Sequence, residues 1–360
     1  MAFVNNRYVI KYKYSESSRK QFPPPGSGEF YVCCTCTDGC RTQQCECRQQ
    51  TAEYVHEWNK QMRPSQKDVT TEAKYGYKFE KIPANGDEQV ASMVPTGIFE
   101  CNQYCSCNKH CQNRVTQGSI VQEVEVIYND KNSSKGWGVF AKSNIEKGSF
   151  IARYLGLLIS EDEEEEIIEK KITNMKKAGM TELDEQILDF ECKSFNVDIS
   201  TRVNLKQKIE EKIGNDSGVE DIINVTEANE LKFFGGSISQ NKFVIDASDY
   251  GNLGRFFNHQ CGAAGQDDGP NMFQQTVYSD IQDIRQPYLA FFAARDIYKG
   301  EELTWNYGYR KTLKNPKLGS ATNQYFSKTI FKVMKSSEQI KNILHCLCGT
   351  PTCPNRNELQ

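Results

Sequence analysis

Histidine is scarce in this 360-residue chain, which holds only His56, His110, His259 and His345. That scarcity excludes a histidine-built catalytic metal centre, so any metal must be thiolate-bound. No charge of one sign dominates. The net charge of −3 gives no global basic field for tight nucleic-acid binding, and direct sequence-specific DNA binding is not expected. No stretch approaches the roughly 18 consecutive apolar residues of a membrane span, so no membrane partner is expected. Residues 1–7 lack the apolar core of a signal peptide. Cysteine, by contrast, is abundant at fifteen residues. Without an export signal, that many thiols point to a reducing compartment and to metal rather than disulfides.

The cysteines form two ladders. The first runs Cys34, Cys36, Cys40, Cys45 and Cys47, with Cys33 just ahead; the second is Cys101, Cys105, Cys107 and Cys111. Ordinary fingers give four ligands per zinc, and nine is not a multiple of four. Nine thiolates do fit three zinc ions that share ligands, because six terminal and three bridging sulfurs fill the places of three tetrahedra. Disulfides are the competing reading, and the odd total of fifteen weighs against them. A closed all-thiolate site leaves zinc no open position, so its role is structural. The polar stretch between the ladders reads as a surface loop.

From Ser119 the pattern turns to strands. Val124, Val126 and Tyr128 alternate with Glu123, Glu125 and Ile127, a period of two. Gly136-Trp137-Gly138 either lets backbone approach a ligand or is a plain tight turn. Lys147 to Gly156 reads as strand, turn and strand, and Lys242 to Ala247, Gln275 to Tyr278 and Leu289 to Ala294 as further short strands, which makes the fold mainly β with irregular zinc-bound loops. Between about 160 and 240 a charged, helix-like run from Glu161 to Lys171 and a polar stretch read as an insertion that splits one domain. Thr304 to Tyr309 carries three alternating aromatics, either plain core or one lined strand face whose hydroxyls need partners.

The stretch Asn252 to Cys261 draws these parts together. Its Asn258-His259 pair either holds a polar ligand or is a buried pair satisfied by backbone. Cys261 stands far from both ladders, and Cys346, Cys348 and Cys353 complete a four-thiolate set with it.

The order of parts resembles a SET-domain lysine methyltransferase with cysteine-rich pre-SET and post-SET segments. The residues that carry the resemblance are the nine-cysteine ladders, Gly136-Trp137-Gly138, Tyr154-Leu155-Gly156, Arg255 to His259, Glu302 to Tyr307, and Cys346, Cys348 and Cys353. Asn252 to Arg255, Leu303 to Tyr307, Pro95-Thr96-Gly97 and Phe99-Glu100-Cys101 make it similar to the SETDB type, whose SET domain is divided by an insertion. The expected organisation is an N-terminal linker at 1–32, a pre-SET zinc cluster at 33–118, a split SET domain at 119–310 and a post-SET tail with a zinc site at 311–360.

The resemblance implies S-adenosylmethionine as methyl donor and lysine 9 of the histone H3 tail as acceptor, with chromatin-associated partners and a nuclear location. A non-histone lysine, or a catalytically inactive chromatin scaffold, is the alternative. Gly136, Trp137 and Gly138 would wrap the cofactor, and Arg255, Asn258 and His259 would complete its pocket. Asp184 matches an acidic cofactor contact of the family, while Gln186 stands where a family tyrosine lies. Tyr307 would orient the amine and Tyr154 would line the methyl-transfer site. Trp305 stands where relatives often have Phe or Tyr, a position that bears on how many methyls are added. Cys261, Cys346, Cys348 and Cys353 would hold a fourth zinc and fold the tail against the channel. The family places Pro-Asn almost directly after this cysteine, yet here Gly262 to Gly269 precede Pro270-Asn271. That loop must bulge without moving either end.

Overall fold

Short apolar runs separated by polar and Gly-containing turns favour strands over helices, and the chain folds mainly as β. The computed structural model describes residues 7–8, 11–21, 32–41, 44–62, 77, 94, 96–118, 122–128, 136–160, scattered helical positions between 163 and 173, 196–198, 243–279, 282, 287–307, 348 and 350. In chain order the first elements are β1 (Arg7–Tyr8), β2 (Lys13–Tyr14), α1 (Glu16–Gln21), α2 (Glu46–Met62) and β3 (Ile98–Phe99). Then come β4 (Val124–Tyr128), β5 (Trp137–Ala141), β6 (Phe150–Tyr154), β7 (Leu157–Ser160) and β8 (Asn196–Asp198). The remainder holds β9 (Phe243–Asp246), β10 (Tyr250–Gly251), a 3-10 turn (Leu253–Phe256), β11 (Asn258–His259), β12 (Met272–Tyr278), β13 (Tyr288–Ala293) and β14 (Thr304–Trp305).

One four-stranded sheet runs β3-β12-β13-β6. β12 and β6 lie antiparallel on either side of β13, and β3 runs parallel to β12, with Ile98 opposite Val277. All six residues of β13 are buried, as a strand covered on both faces requires. Alternate side chains serve two different cores. Leu289, Phe291 and Ala293 join Ile151, Tyr154, Phe257 and Trp305. Ala290, Phe292 and Ala294 join Val55 of α2, Ile98, Phe150 and Val277. β13 is therefore the wall between the cysteine-rich half of the chain and the half that carries the Asn-His stretch.

The second four-stranded sheet runs β2-β7-β9-β8. β7 and β9 pair antiparallel, from Leu157 opposite Asp246 to Ser160 opposite Phe243. β8 comes from the stretch read as an insertion and lies antiparallel beside β9. The chain's opening residues also contribute: β2 runs parallel to β7, β1 parallel to β10, and the Tyr12 ring stacks on Tyr288 at 4.6 Å. A two-residue strand has no period to read, so nothing in residues 1–32 announced these pairings. β4 and β5 form a hairpin, and β11 pairs parallel with β14, His259 opposite Trp305.

Candidate active site and thiolate cluster

Both ladders meet in one cluster. Cys34, Cys40, Cys45, Cys47, Cys101, Cys105, Cys107 and Cys111 are buried together, with Cys36 and Cys33 packed against them. A tetrahedral ion with sulfur at about 2.3 Å sets its ligands about 3.8 Å apart. The Cys34–Cys40, Cys34–Cys101, Cys40–Cys101 and Cys45–Cys101 sulfurs stand 3.6, 3.7, 3.6 and 3.7 Å apart. Three overlapping sets of four thiols lie within 4.8 Å, and Cys34, Cys40, Cys45 and Cys101 each belong to more than one. Ligand sharing of this kind is what a multi-zinc cluster needs, and the donors fit it.

The electrostatics agree. Burial pushes the Cys36 and Cys107 thiols up to about 12, while hydrogen bonding with Cys101 draws Cys105 down to about 2 and Cys111 to about 6. Thiols so opposed within one buried cluster cannot all ionise unless cations compensate them. Outer donors steady the sulfurs: Asn113 Nδ2 donates to Cys101 Sγ at 3.5 Å, and Arg114 Nη2 to Cys107 Sγ at 3.6 Å.

On the other side of β13 an unbroken run of ring contacts joins the two tyrosines. Tyr154 meets Phe291 at 6.5 Å, Phe291 meets Trp305 at 5.0 Å, and Trp305 meets Tyr307 at 4.8 Å. The Trp305 side chain is 7% exposed, and its indole Nε1–H meets no acceptor among the described residues. The Tyr307 hydroxyl donates to the Phe257 carbonyl, and its backbone N–H donates to His259 Nδ1 at 3.1 Å. A backbone amide only donates, so the ring proton of neutral His259 sits on Nε2, 3.1 Å from the buried Cys261 sulfur.

Asn258 binds inward as well. Its Nδ2 donates to the Trp137 carbonyl at 3.0 Å and to Glu302 Oε1 at 2.6 Å, which fixes the amide and turns Oδ1 away from both. Gly138 admits this arrangement, since a Cβ there would stand 2.7 Å from the Glu302 carboxylate. Gly136 and Trp137 precede it at the start of β5, where the Trp137 ring packs edge-on against Tyr128 at 5.0 Å. Arg255 is half-buried in the 3-10 turn and donates to the Ser248 carbonyl at 2.9 Å; burial holds its pKa below the usual guanidinium value.

The loop after Cys261 closes on itself. Gln266 N donates to the Ala263 carbonyl, Gly265 N to the Pro270 carbonyl, and Gly262 and Gly269 meet at its neck. A Cβ on Gly269 would fall 2.0 Å from the Ala263 carbonyl, so this close approach needs glycine. Beyond the neck, Asn271 Oδ1 accepts from Thr304 N at 2.9 Å and its Nδ2 donates to the Glu302 carbonyl at 2.8 Å. Both ends of the loop are thus anchored, and it bulges between them.

Of the residues expected at the site, Tyr154, Trp305, Tyr307, Asn258, His259, Trp137, Gly138 and Cys261 are joined by these contacts. Asp184, Gln186, Cys346 and Cys353 lie outside the described residues; Cys348 is described and partly buried. Glu302 reads in the sequence only as the first residue of the Glu302 to Tyr307 motif, and its hydrogen bond to Asn258 gives no signal there.

A model of the SET domain matches residues 136–308, and one of the pre-SET motif matches residues 2–114. The histone-lysine N-methyltransferase eggless of Drosophila melanogaster is 30% identical over 90% of this chain and 25% of its own length. The histone-lysine N-methyltransferase, H3 lysine-9 specific SUVH6 of Arabidopsis thaliana is 30% identical over 77% of this chain and 27% of its own. The chain therefore spans about a quarter of the length of these relatives. A crystal structure of Arabidopsis SUVH6 in complex with SAM has the same fold, with a TM-score of 0.51 at 23% identity over 98% of this chain and 50% of that one. The chain belongs to the SET-domain family, its SET domain led by a pre-SET motif and its relatives histone-lysine N-methyltransferases.

Proposed function

We propose that the chain is the catalytic portion of a protein-lysine N-methyltransferase that uses S-adenosylmethionine and acts on lysine 9 of the histone H3 tail, in nuclear chromatin. The observation that carries this reading is the run of rings from Tyr154 through Phe291 and Trp305 to Tyr307, set beside the fixed Asn258 amide in a SET fold. The names of eggless and SUVH6 support the histone and lysine-9 assignments.

When bound, S-adenosylmethionine supplies an electrophilic methyl on a cationic sulfur. Gly136, Trp137, Gly138, Asp184, Arg255, Asn258 and His259 would hold it. The residues' task is to present a neutral amine. Free lysine titrates near 10.4, so at a pH of about 7.4 deprotonation costs about three units, or roughly 4 kcal/mol. Walls made of Tyr154, Phe291 and Trp305 solvate an ammonium poorly and favour the neutral form. Tyr307 donates its hydroxyl proton to the Phe257 carbonyl, which leaves its oxygen to accept an amine N–H and aim the lone pair. Holding the amine and methyl in line is a positioning effect and needs no strong general base. The peptide would dock as an added strand. Three zinc ions would fill the cluster, and a fourth would join Cys261 to Cys346, Cys348 and Cys353.

A labelled-cofactor assay on an H3 tail peptide, and on the same peptide with lysine 9 replaced, tests the reading. Label on the first peptide alone is expected. Label on both would move the acceptor to another lysine, and label on neither would leave a chromatin-binding scaffold.

A further inference from the structure

In β6 the residue before Tyr154 is an arginine, and it is only 8% exposed. Successive strand residues point to opposite faces, so Arg153 faces the cysteine-rich half while Tyr154 faces the aromatic core. Segments far apart in sequence converge on this one guanidinium. Its Nη2 donates to Thr116 Oγ1 at 2.9 Å and to Ser279 Oγ at 2.8 Å, and its Nε donates to Thr116 Oγ1 at 3.2 Å. Glu100 Oε2 stands 3.9 Å away, and that carboxylate is itself held by Thr116 N at 2.8 Å and Gln117 Nε2 at 2.9 Å. The guanidinium lies 4.0 Å from the centre of the Tyr288 ring, which in turn stacks on Tyr12 of the N-terminal segment.

Glu100 directly precedes Cys101, and Thr116 follows Cys111 closely, so the arginine is gripped at both ends of the second cysteine ladder. The backbone on either side of Tyr154 is gripped as well. Asn252, buried and not assigned a role above, donates through Nδ2 to the Arg153 carbonyl at 2.7 Å. Its Oδ1 accepts from Leu155 N and from Gly254 N, both at 3.2 Å. Tyr154 is thus flanked by two bonds to Asn252, which caps the 3-10 turn that carries Arg255, and by a side chain anchored on the residues that border the second cysteine ladder. A one-residue slip of β6 would exchange the two faces and remove Tyr154 from the channel.

We propose that Arg153 is a positioning residue for methyl transfer: it ties the strand carrying Tyr154 to the thiolate cluster and the N-terminal segment, and Asn252 completes the grip. This rests on the reading that Tyr154 lines the methyl-transfer site. The test uses the full chain with Arg153→Met, Arg153→Lys and Tyr154→Phe. Zinc per chain, calorimetric affinity for S-adenosylmethionine, and kcat and KM for the tail peptide are measured for each. Arg153→Met should keep its zinc and its cofactor affinity within about twofold, while kcat falls about 10- to 100-fold with little change in KM, the size expected of a misplacement near 1 Å. Arg153→Lys, which keeps the charge but not the fork, should fall between. An unchanged kcat in Arg153→Met beside an impaired Tyr154→Phe overturns the inference alone, as does loss of activity in step with loss of zinc. A silent Tyr154→Phe overturns the reading beneath it. If Arg153→Met does not fold, Thr116→Val removes two of its hydrogen bonds and Ser279→Ala one, and each should lower kcat about three- to tenfold at full zinc content; two silent variants would then refute the proposal.

Discussion

A buried donor without an acceptor costs about 1–3 kcal/mol, and among the described residues the Trp305 indole is such a donor, wedged between Phe291 and Tyr307. Trp305→Phe removes the orphan N–H but leaves a smaller ring, so the two effects on stability oppose each other. The melting temperature should move by only a few degrees, while mass spectrometry of the peptide should show a shift toward more highly methylated product as space opens beside Tyr307. An unchanged distribution would remove Trp305 from that role. The side chains of the site were unequally legible. Tyr154, Trp305 and Tyr307 stood in recognisable patterns. Arg153 stood in none, and Asn252 and Glu302 stood in motifs that assigned them no role, because each acts on partners that folding alone brings near: the Asn252 amide reaches the carbonyl of a residue 99 positions away.

Among the elements, the loop from Gly262 to Gly269 carries the tightest steric requirement. Gly269→Ala places a carbon where the Ala263 carbonyl now sits, so the neck must open. A cost of about 2 kcal/mol or more is expected, read as a lower urea midpoint at unchanged slope. An unaltered midpoint would mean that the neck gives way freely. β4, β6, β9, β12 and β13 were legible from apolar alternation or short buried runs. β14 was offered by its alternating aromatics, but β1, β2, β3 and β11 were not legible, since a two-residue strand is defined by the neighbour it pairs with. The loop's closure was equally hidden, for its two glycines meet only in space.

For the whole molecule, the balance between metal and fold decides the outcome. Structural zinc contributes roughly 10–16 kcal/mol to folding in small metal domains, against a typical net stability of about 5–15 kcal/mol. Removing metal from the thiolate cluster should therefore unfold that half of the chain. Chelation is expected to abolish methyl transfer, and Cys348→Ala should do the same through the tail site; transfer at the normal rate by a zinc-free preparation, measured with labelled cofactor, would refute both. Another consequence follows from β3. Ile98 and Phe99 hold the outer edge of β12, a seven-residue strand mostly buried in the folded chain. Once the cluster lets go, that edge presents unpaired amides and carbonyls beside apolar side chains, a template on which a second copy can build. The metal thus also guards against self-association, and its loss is a step that dilution alone does not reverse.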